Sequence, residues 1–282
     1  MKFDVDGFRA WKHKKVTLLG MSGVGKTYLS SLLCGHDWFH YSGDYRIGTR
    51  YLDEAILDLI KRQAMQVPFL KDLLRRDWIY IRNNIKVDDL GPVLSFVGKP
   101  GDPERGGVPL DEFVRRQAEY RDAEIAAMRD VPAYIRKAQE IYGYSHFVND
   151  VGGSLCELDE PSVVDLLVEH TLILYIQVTD KAEEQKLIER AQSDPKPLYY
   201  RPGFLSEQLE LYLAEKGLAY AAEMDPDEFT RWVFPRLFHS RIPRYEAIAG
   251  PHGYTVTSQE VSRVSDEADF LKLLETVIER TD

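Results

Sequence analysis

The chain has 282 residues, 44% of them hydrophobic and 11% aromatic, a globular make-up that excludes global disorder and fits one core with an insertion or two small domains. Its net charge of −10 argues against a protein whose whole surface grips nucleic acid, while leaving room for a local basic channel. Two cysteines, Cys34 and Cys156, lie far apart without metal-ligand spacing, so they read as buried small hydrophobes in a reducing compartment.

In chain order, the opening MKFDVDGFRAWKHKK has no apolar core, and no later stretch approaches membrane-spanning length; the expectation is a cytoplasmic protein with no membrane partner. Residues 16–19 are continuous and apolar, as a strand covered on both faces would be. They run into GMSGVGKT, residues 20–27, which fits G-x-x-x-x-G-K-[ST], and residues 26–33 follow as a helix ending near Gly35. Glycines let successive N–H groups face one point, and the helix adds its positive end to an anion held there. Gly20, Met21, Ser22, Gly23, Val24, Gly25, Lys26, Thr27 and Tyr28 are therefore the expected nucleotide contacts, with Lys26 a mobile cation for the outer phosphates and Thr27 a hydroxyl for Mg²⁺. The bland alternative is an ordinary strand-to-helix turn with a solvated lysine.

Residues 37–41 (DWFHY) form a second candidate strand leading into SGD at residues 42–44, and helix spacing resumes near Tyr51 with Leu52, Ile56, Leu59 and Ile60. Between residues 65 and 142 the alternation breaks down. Residues 97–109 (VGKPGDPERGGVP) are too rich in Gly and Pro for a core element and read as a surface loop of the kind that ligand binding orders, flanked by helices at 72–81 and 111–141. The segment reads as an insertion carried by the sheet. Its arginines Arg75, Arg76, Arg105, Arg115 and Arg116 read first as solvated helix faces and only second as contacts for an anionic acceptor.

Strand character returns at residues 145–148, followed by NDVGGS, a helix at 160–169, and the apolar strand LILYIQV at 172–178. Asp180 can cap a helix over 181–191, and SDPKPLYYRP, residues 193–202, is a proline-broken basic loop. Helices at 205–216 and 228–238, a strand at 254–257 and a helix at 266–279 close the chain.

This alternation predicts an α/β fold of the P-loop NTPase kind, an open parallel sheet of about five strands with helices on both faces and a mainly helical insertion. The whole of 1–282 is expected to be one domain, with 65–142 inserted as an acceptor or lid region. Ligands bind at the carboxyl edge of such sheets, which singles out three turns. Asp44 could accept a proton from an acceptor hydroxyl, hold metal through water, or only cap the turn after it. Asp150 is a second candidate metal helper, and Gly152 and Gly153 would let a substrate approach the backbone. Arg46 and Arg50 could clamp the acceptor, while Arg190, Lys196 and Arg201 around the proline-broken loop could form a mobile lid that neutralises the transferred group. D-x-x-G at Asp150 would suit a GTPase switch, but the next strand supplies no N-K-x-D.

The order of these pieces resembles the shikimate kinase branch of the P-loop nucleotide and metabolite kinases. SGDYRIG at 42–48 looks like that family's D-x-D-x-x-I segment, with Asp44 on the aspartate that touches the acceptor; VGGS at 151–154 is similar to its glycine triplet; KPLY at 196–199 sits where the lid's R-P-L-L belongs; and RIPRYEAIA at 241–249 looks like R-x-P-L-Y-x-x-x-A. The resemblance implies ATP and Mg²⁺ as cofactors, transfer to a small-molecule hydroxyl, and Arg241 as an acceptor contact. Ser42 stands for the first aspartate and Val151 for the first glycine, and the acceptor region holds a far longer insertion, so the acceptor stays open. The competing readings are a P-loop ATPase or GTPase that switches a protein partner, a module with a vestigial nucleotide site, and a polynucleotide acceptor, which the acidic balance disfavours.

Overall fold

The computed structural model describes residues 2–281 and divides by compactness into two units. The first comprises Met1–Gly43, Met128–Pro195 and Arg231–Asp282; the second comprises Asp44–Ala127 and Lys196–Thr230. The segment 65–142 read as an insertion thus overlaps the second unit over 65–127.

The first unit holds an all-parallel sheet of five strands: β1 (Lys15–Leu19), β2 (Trp38–Ser42), β3 (His146–Asp150), β4 (Leu172–Gln177) and β5 (Gly253–Thr257), in the order β2-β3-β1-β4-β5. The apolar run of β1 puts it in the middle, where Val16, Leu18 and Leu19 are wholly buried. Parallel strands need crossover helices, and right-handed crossovers running both ways from a central strand cover both faces. On one side the helix Lys26–Leu33 buries Leu29 and Leu33, and Glu267–Glu279 buries Phe270, whose ring meets Trp38 edge-on at 5.7 Å. Val131–Glu140 brings Tyr134 onto Tyr41 at 5.0 Å between ring centres. Polar side chains inside the sheet find one another: Thr17 pairs with Thr171 at 2.8 Å and accepts from Asn149 at 3.1 Å. Asp180 caps Lys181–Ser193 through the N–H groups of Ala182 and Glu183, as expected.

Some sequence boundaries move. The helix expected to stop at residue 238 is Pro226–His252, continuous through Pro235, Pro243 and Pro251. Each internal proline removes a hydrogen bond, but Leu237, Phe238, Tyr245 and Ala249 are buried along the same helix, and that packing prevails. Cys34, expected inside, is exposed, because it caps the end of Lys26–Leu33 rather than lying on its buried stripe; Cys156 is buried.

The second unit begins at Asp44, within the short helix Gly43–Arg46, and continues through a π-helical turn, Ile47–Tyr51, and the helix Asp53–Ala64. The helix expected over 72–81 is Pro68–Arg75, which ends ahead of Asp77 in the left-handed region at φ 53°. Residues 97–109 are not a loose loop. Gly101 N donates to Val108 O at 3.1 Å, Val108 N donates to Lys99 O at 2.8 Å, and Asp102 N donates to Met224 O at 2.9 Å. Residues 198–200, expected within a mobile lid, are also tied down: Gln117 donates to Leu198 O and accepts from Tyr200 N, and Tyr200 packs against Phe113, Phe204 and Phe229.

Candidate nucleotide-binding site

The loop that leaves β1 turns sharply enough to bring Lys26 back over it. Lys26 Nζ donates to Gly20 O at 2.8 Å and to Met21 O at 2.9 Å, and the side chain is only 6% exposed. These two bonds hold the lysine against the carbonyls of its own loop. Two turns in the loop demand glycine: Gly23 has φ 90° and Gly25 has φ 105°. Gly25 is also the N-cap of Lys26–Leu33 and brings no side chain to its first N–H groups, which leaves them for an anion. Met21 and Val24 are buried and anchor the loop, while Ser22, Gly23, Thr27 and Tyr28 face solvent; Tyr28 OH donates to Val264 O at 3.0 Å.

Strand order supplies the next group. β3 lies beside β1 with Asp150 paired to Leu18, so the carboxylate at the end of β3 reaches the first turn of the helix after the loop. Thr27 Oγ1 donates to Asp150 Oδ2 at 2.8 Å. On the other side of β3, Ser42 of β2 pairs with Asp150, and His40, two residues earlier, places Nε2 3.7 Å from the same Oδ2. Burial works against charge on His40, but Asp150 and the Cys34 thiol outweigh it and push its pKa up to about 9. His40 thus faces the carboxylate half-buried, with its protonated form favoured. The sequence reading missed it; its only signal is the shared face of residues at i and i+2 on one strand.

Arg190, carried by Lys181–Ser193, lies against the loop: a Cβ on Gly23 would stand 2.5 Å from its Nη2. Gly152 is buried, and Gly153 packs against Ser22 N, which a Cβ would approach to 3.2 Å. Arg241 Nη1 lies 3.7 Å from that same Cβ position, so this buried arginine borders the glycine pair. It is set there by a partner the sequence reading did not single out. Glu157, with no exposed side-chain surface, lies 3.8 Å from Arg241 Nε and 3.7 Å from Arg244 Nε. Tyr245 OH donates to Gly153 O, bracing the pair from behind.

The second unit holds the other sequence candidates. Asp44 is half-buried and accepts from Tyr120 OH at 3.4 Å, and Tyr120 stacks on Tyr199 at 5.7 Å. Arg46 lies over the Tyr51 ring at 5.6 Å, while Arg50 is exposed. Lys196 is exposed, and Arg201, the residue before Pro202–Lys216, lies over Phe204 at 5.9 Å.

No protein-family model matches the chain and no curated protein matches it. Among solved structures it is similar to the shikimate kinase of Bacteroides thetaiotaomicron, at 13% sequence identity and a TM-score of 0.41, with 94% of this chain and 98% of that chain covered. No residue role is carried over from that likeness. Among the described residues no helix is long and apolar enough to cross a membrane.

Proposed function

We propose that the protein is an ATP- and Mg²⁺-dependent phosphotransferase that moves the γ-phosphate to a hydroxyl of a small molecule. The observation that carries this reading is the Thr27–Asp150 hydrogen bond beside a lysine folded over its own glycine loop. The donor set fits the ligand: N–H groups and a cation for phosphates, then a hydroxyl and a carboxylate as hard oxygens for Mg²⁺, which keeps few protein ligands and shares the phosphates. Thr27 and Asp150 would hold Mg²⁺, with Asp44 a further candidate, and the bound ion would supply neutralisation of the charge on the transferred group.

In this reading residues 20–28 hold the nucleotide and exclude water from its inner phosphates. Lys26 leaves the carbonyls of Gly20 and Met21 for the outer phosphates. Arg190, at the rim of the loop, neutralises charge growing on the transferred phosphoryl, a role for which Lys196 and Arg201 are the other candidate cations. Asp44, two residues past the end of β2 in the chain, orients or deprotonates the acceptor hydroxyl; Arg46, Arg50, Gly152, Gly153 and Arg241 are the candidate acceptor contacts. We read the chain as one P-loop kinase-like domain in which residues 65–142 are an insertion serving the acceptor or the lid.

The test is transfer of labelled γ-phosphate from ATP–Mg²⁺ to a panel of hydroxyl metabolites and nucleosides. Lys26→Ala and Asp44→Ala should each abolish the labelled product. Undiminished transfer by both variants would sink the assignment, and hydrolysis without a phosphorylated acceptor would make the protein an ATPase instead.

A further inference from the structure

We propose that residues 61–82 form a landing surface for single-stranded nucleic acid, independent of the phosphate loop and of the activity proposed for it. The stretch KRQAMQVPFLKDLLRRDWIYIR contains no buried residue, and the helix Pro68–Arg75 within it is held on the fold only by half-buried side chains. Its most exposed large hydrophobic side chains are aromatic: Phe69 is 71%, Trp78 67% and Tyr80 81% exposed. Water-facing rings of this size, close together in the chain, mark a surface that something else covers.

Charge says what kind of partner fits. The stretch carries six Lys and Arg against two Asp, a local net charge of +4 on a chain of net charge −10. Among the described residues, Lys71, Arg75, Arg76 and Arg82 pair with no carboxylate. Arg76 instead lies 5.0 Å over the Trp78 ring, which is still 67% exposed. The partner is therefore anionic.

The choice between a strand of bases and a lipid surface follows from which apolar groups point out. Leu70, Leu73, Leu74, Ile79 and Ile81 are all half-buried and Val67, at 46%, is the exposed aliphatic side chain of the stretch, so little aliphatic chain is left to enter a bilayer. What projects is aromatic faces interleaved with cations, the combination on which unpaired bases stack while their phosphates are neutralised. Paired bases in a duplex have no free faces to offer.

The test is fluorescence anisotropy of a labelled strand of about fifteen thymidylates, and of a uridylate strand of the same length, titrated with the full chain from about 50 mM to 300 mM salt. Binding should weaken with salt with a log–log slope of about −2 to −3, from three or four neutralised phosphates. The double variant Trp78→Ala/Tyr80→Ala should weaken it about tenfold or more with little change in slope. Lys71→Ala/Arg75→Ala/Arg82→Ala should flatten the slope by about 2. Because all of these residues are at the surface, melting temperatures should match wild type. No anisotropy change at the lowest salt, variants that bind like wild type, equal binding to a duplex of the same length, or capture by phosphatidylserine vesicles through Trp78 without strand binding would each overturn the proposal.

Discussion

Thr27 Oγ1 donates to Asp150 Oδ2 across 2.8 Å, joining the first turn of the helix after the loop to the end of a strand 123 residues further along the chain. Side by side they form a hydroxyl–carboxylate pair suited to a hard divalent cation. Asp150→Asn keeps the shape and removes the charge. It should raise the Mg²⁺ concentration for half-maximal transfer by about tenfold to a hundredfold and leave metal-free nucleotide affinity nearly unchanged. Magnesium titrations of wild type and variant check this, and coincident curves would remove Asp150 from the metal site.

A Cβ on Gly23 would stand 2.5 Å from Arg190 Nη2 and displace the end of that side chain, and the φ of 90° disfavours any L residue. Gly23→Ala should therefore weaken nucleotide binding about fivefold to thirtyfold, corresponding to about 1–2 kcal/mol of backbone strain plus displacement of the arginine. Adding Arg190→Ala relieves the contact but not the φ strain, so affinity measured by calorimetry should recover only in part.

Glu157 is enclosed between Arg241 and Arg244, with both Nε atoms within 3.8 Å of its Oε1. Glu157→Leu leaves two guanidinium groups without that counter-charge, one of them buried, and should cost about 3–5 kcal/mol. For a chain of this size that lowers the melting temperature by about 10 °C. Scanning calorimetry measures it; a shift of a degree or two would mean the arginines are held by other groups.

Glu260 closes a capping box with Thr257 at the end of β5 and accepts from Arg280 Nη1 at 2.6 Å. The Arg280 hydrogen bond, against the cost of partial burial and with help from the Thr257 cap, lowers its pKa to about 2 from 4.5. A depressed carboxylate contributes stability above its unfolded pKa and loses it as pH falls toward the folded value. The wild-type stability curve should thus bend down between about pH 4.5 and 2. Glu260→Gln should be less stable at pH 7 and flatter across that window, as read by urea unfolding.

Lys196 and Arg201 were legible as cations around a proline-broken loop, yet not the way that loop is fixed. Gln117, in another part of the chain, bonds Leu198 and Tyr200 within the stretch read as a lid. A glutamine in a helical run looks like any solvated residue until the fold supplies both of its partners. The same holds for residues 97–109, whose glycines mark tight turns without saying whether those turns face water or Met224. The helix read over 228–238 runs on to His252 through Pro235, Pro243 and Pro251, since propensity is local while the burial that overrides it comes from distant residues.

The glycine loop, Lys26 and the strand and helix on either side of it are written in about twenty consecutive residues, because their hydrogen bonds close over short distances along the chain and need no other segment. The caps at Asp180 and Asp266 are local for the same reason. The order β2-β3-β1-β4-β5 is different: which strand lies beside β1 depends on crossovers that span the whole chain. Only that order brings Asp150 and His40 to Thr27, Arg190 to Gly23, and Glu157 to Arg241. Sequence determined the glycine turn and its lysine; the packing of parallel strands decided which charged side chains surround it.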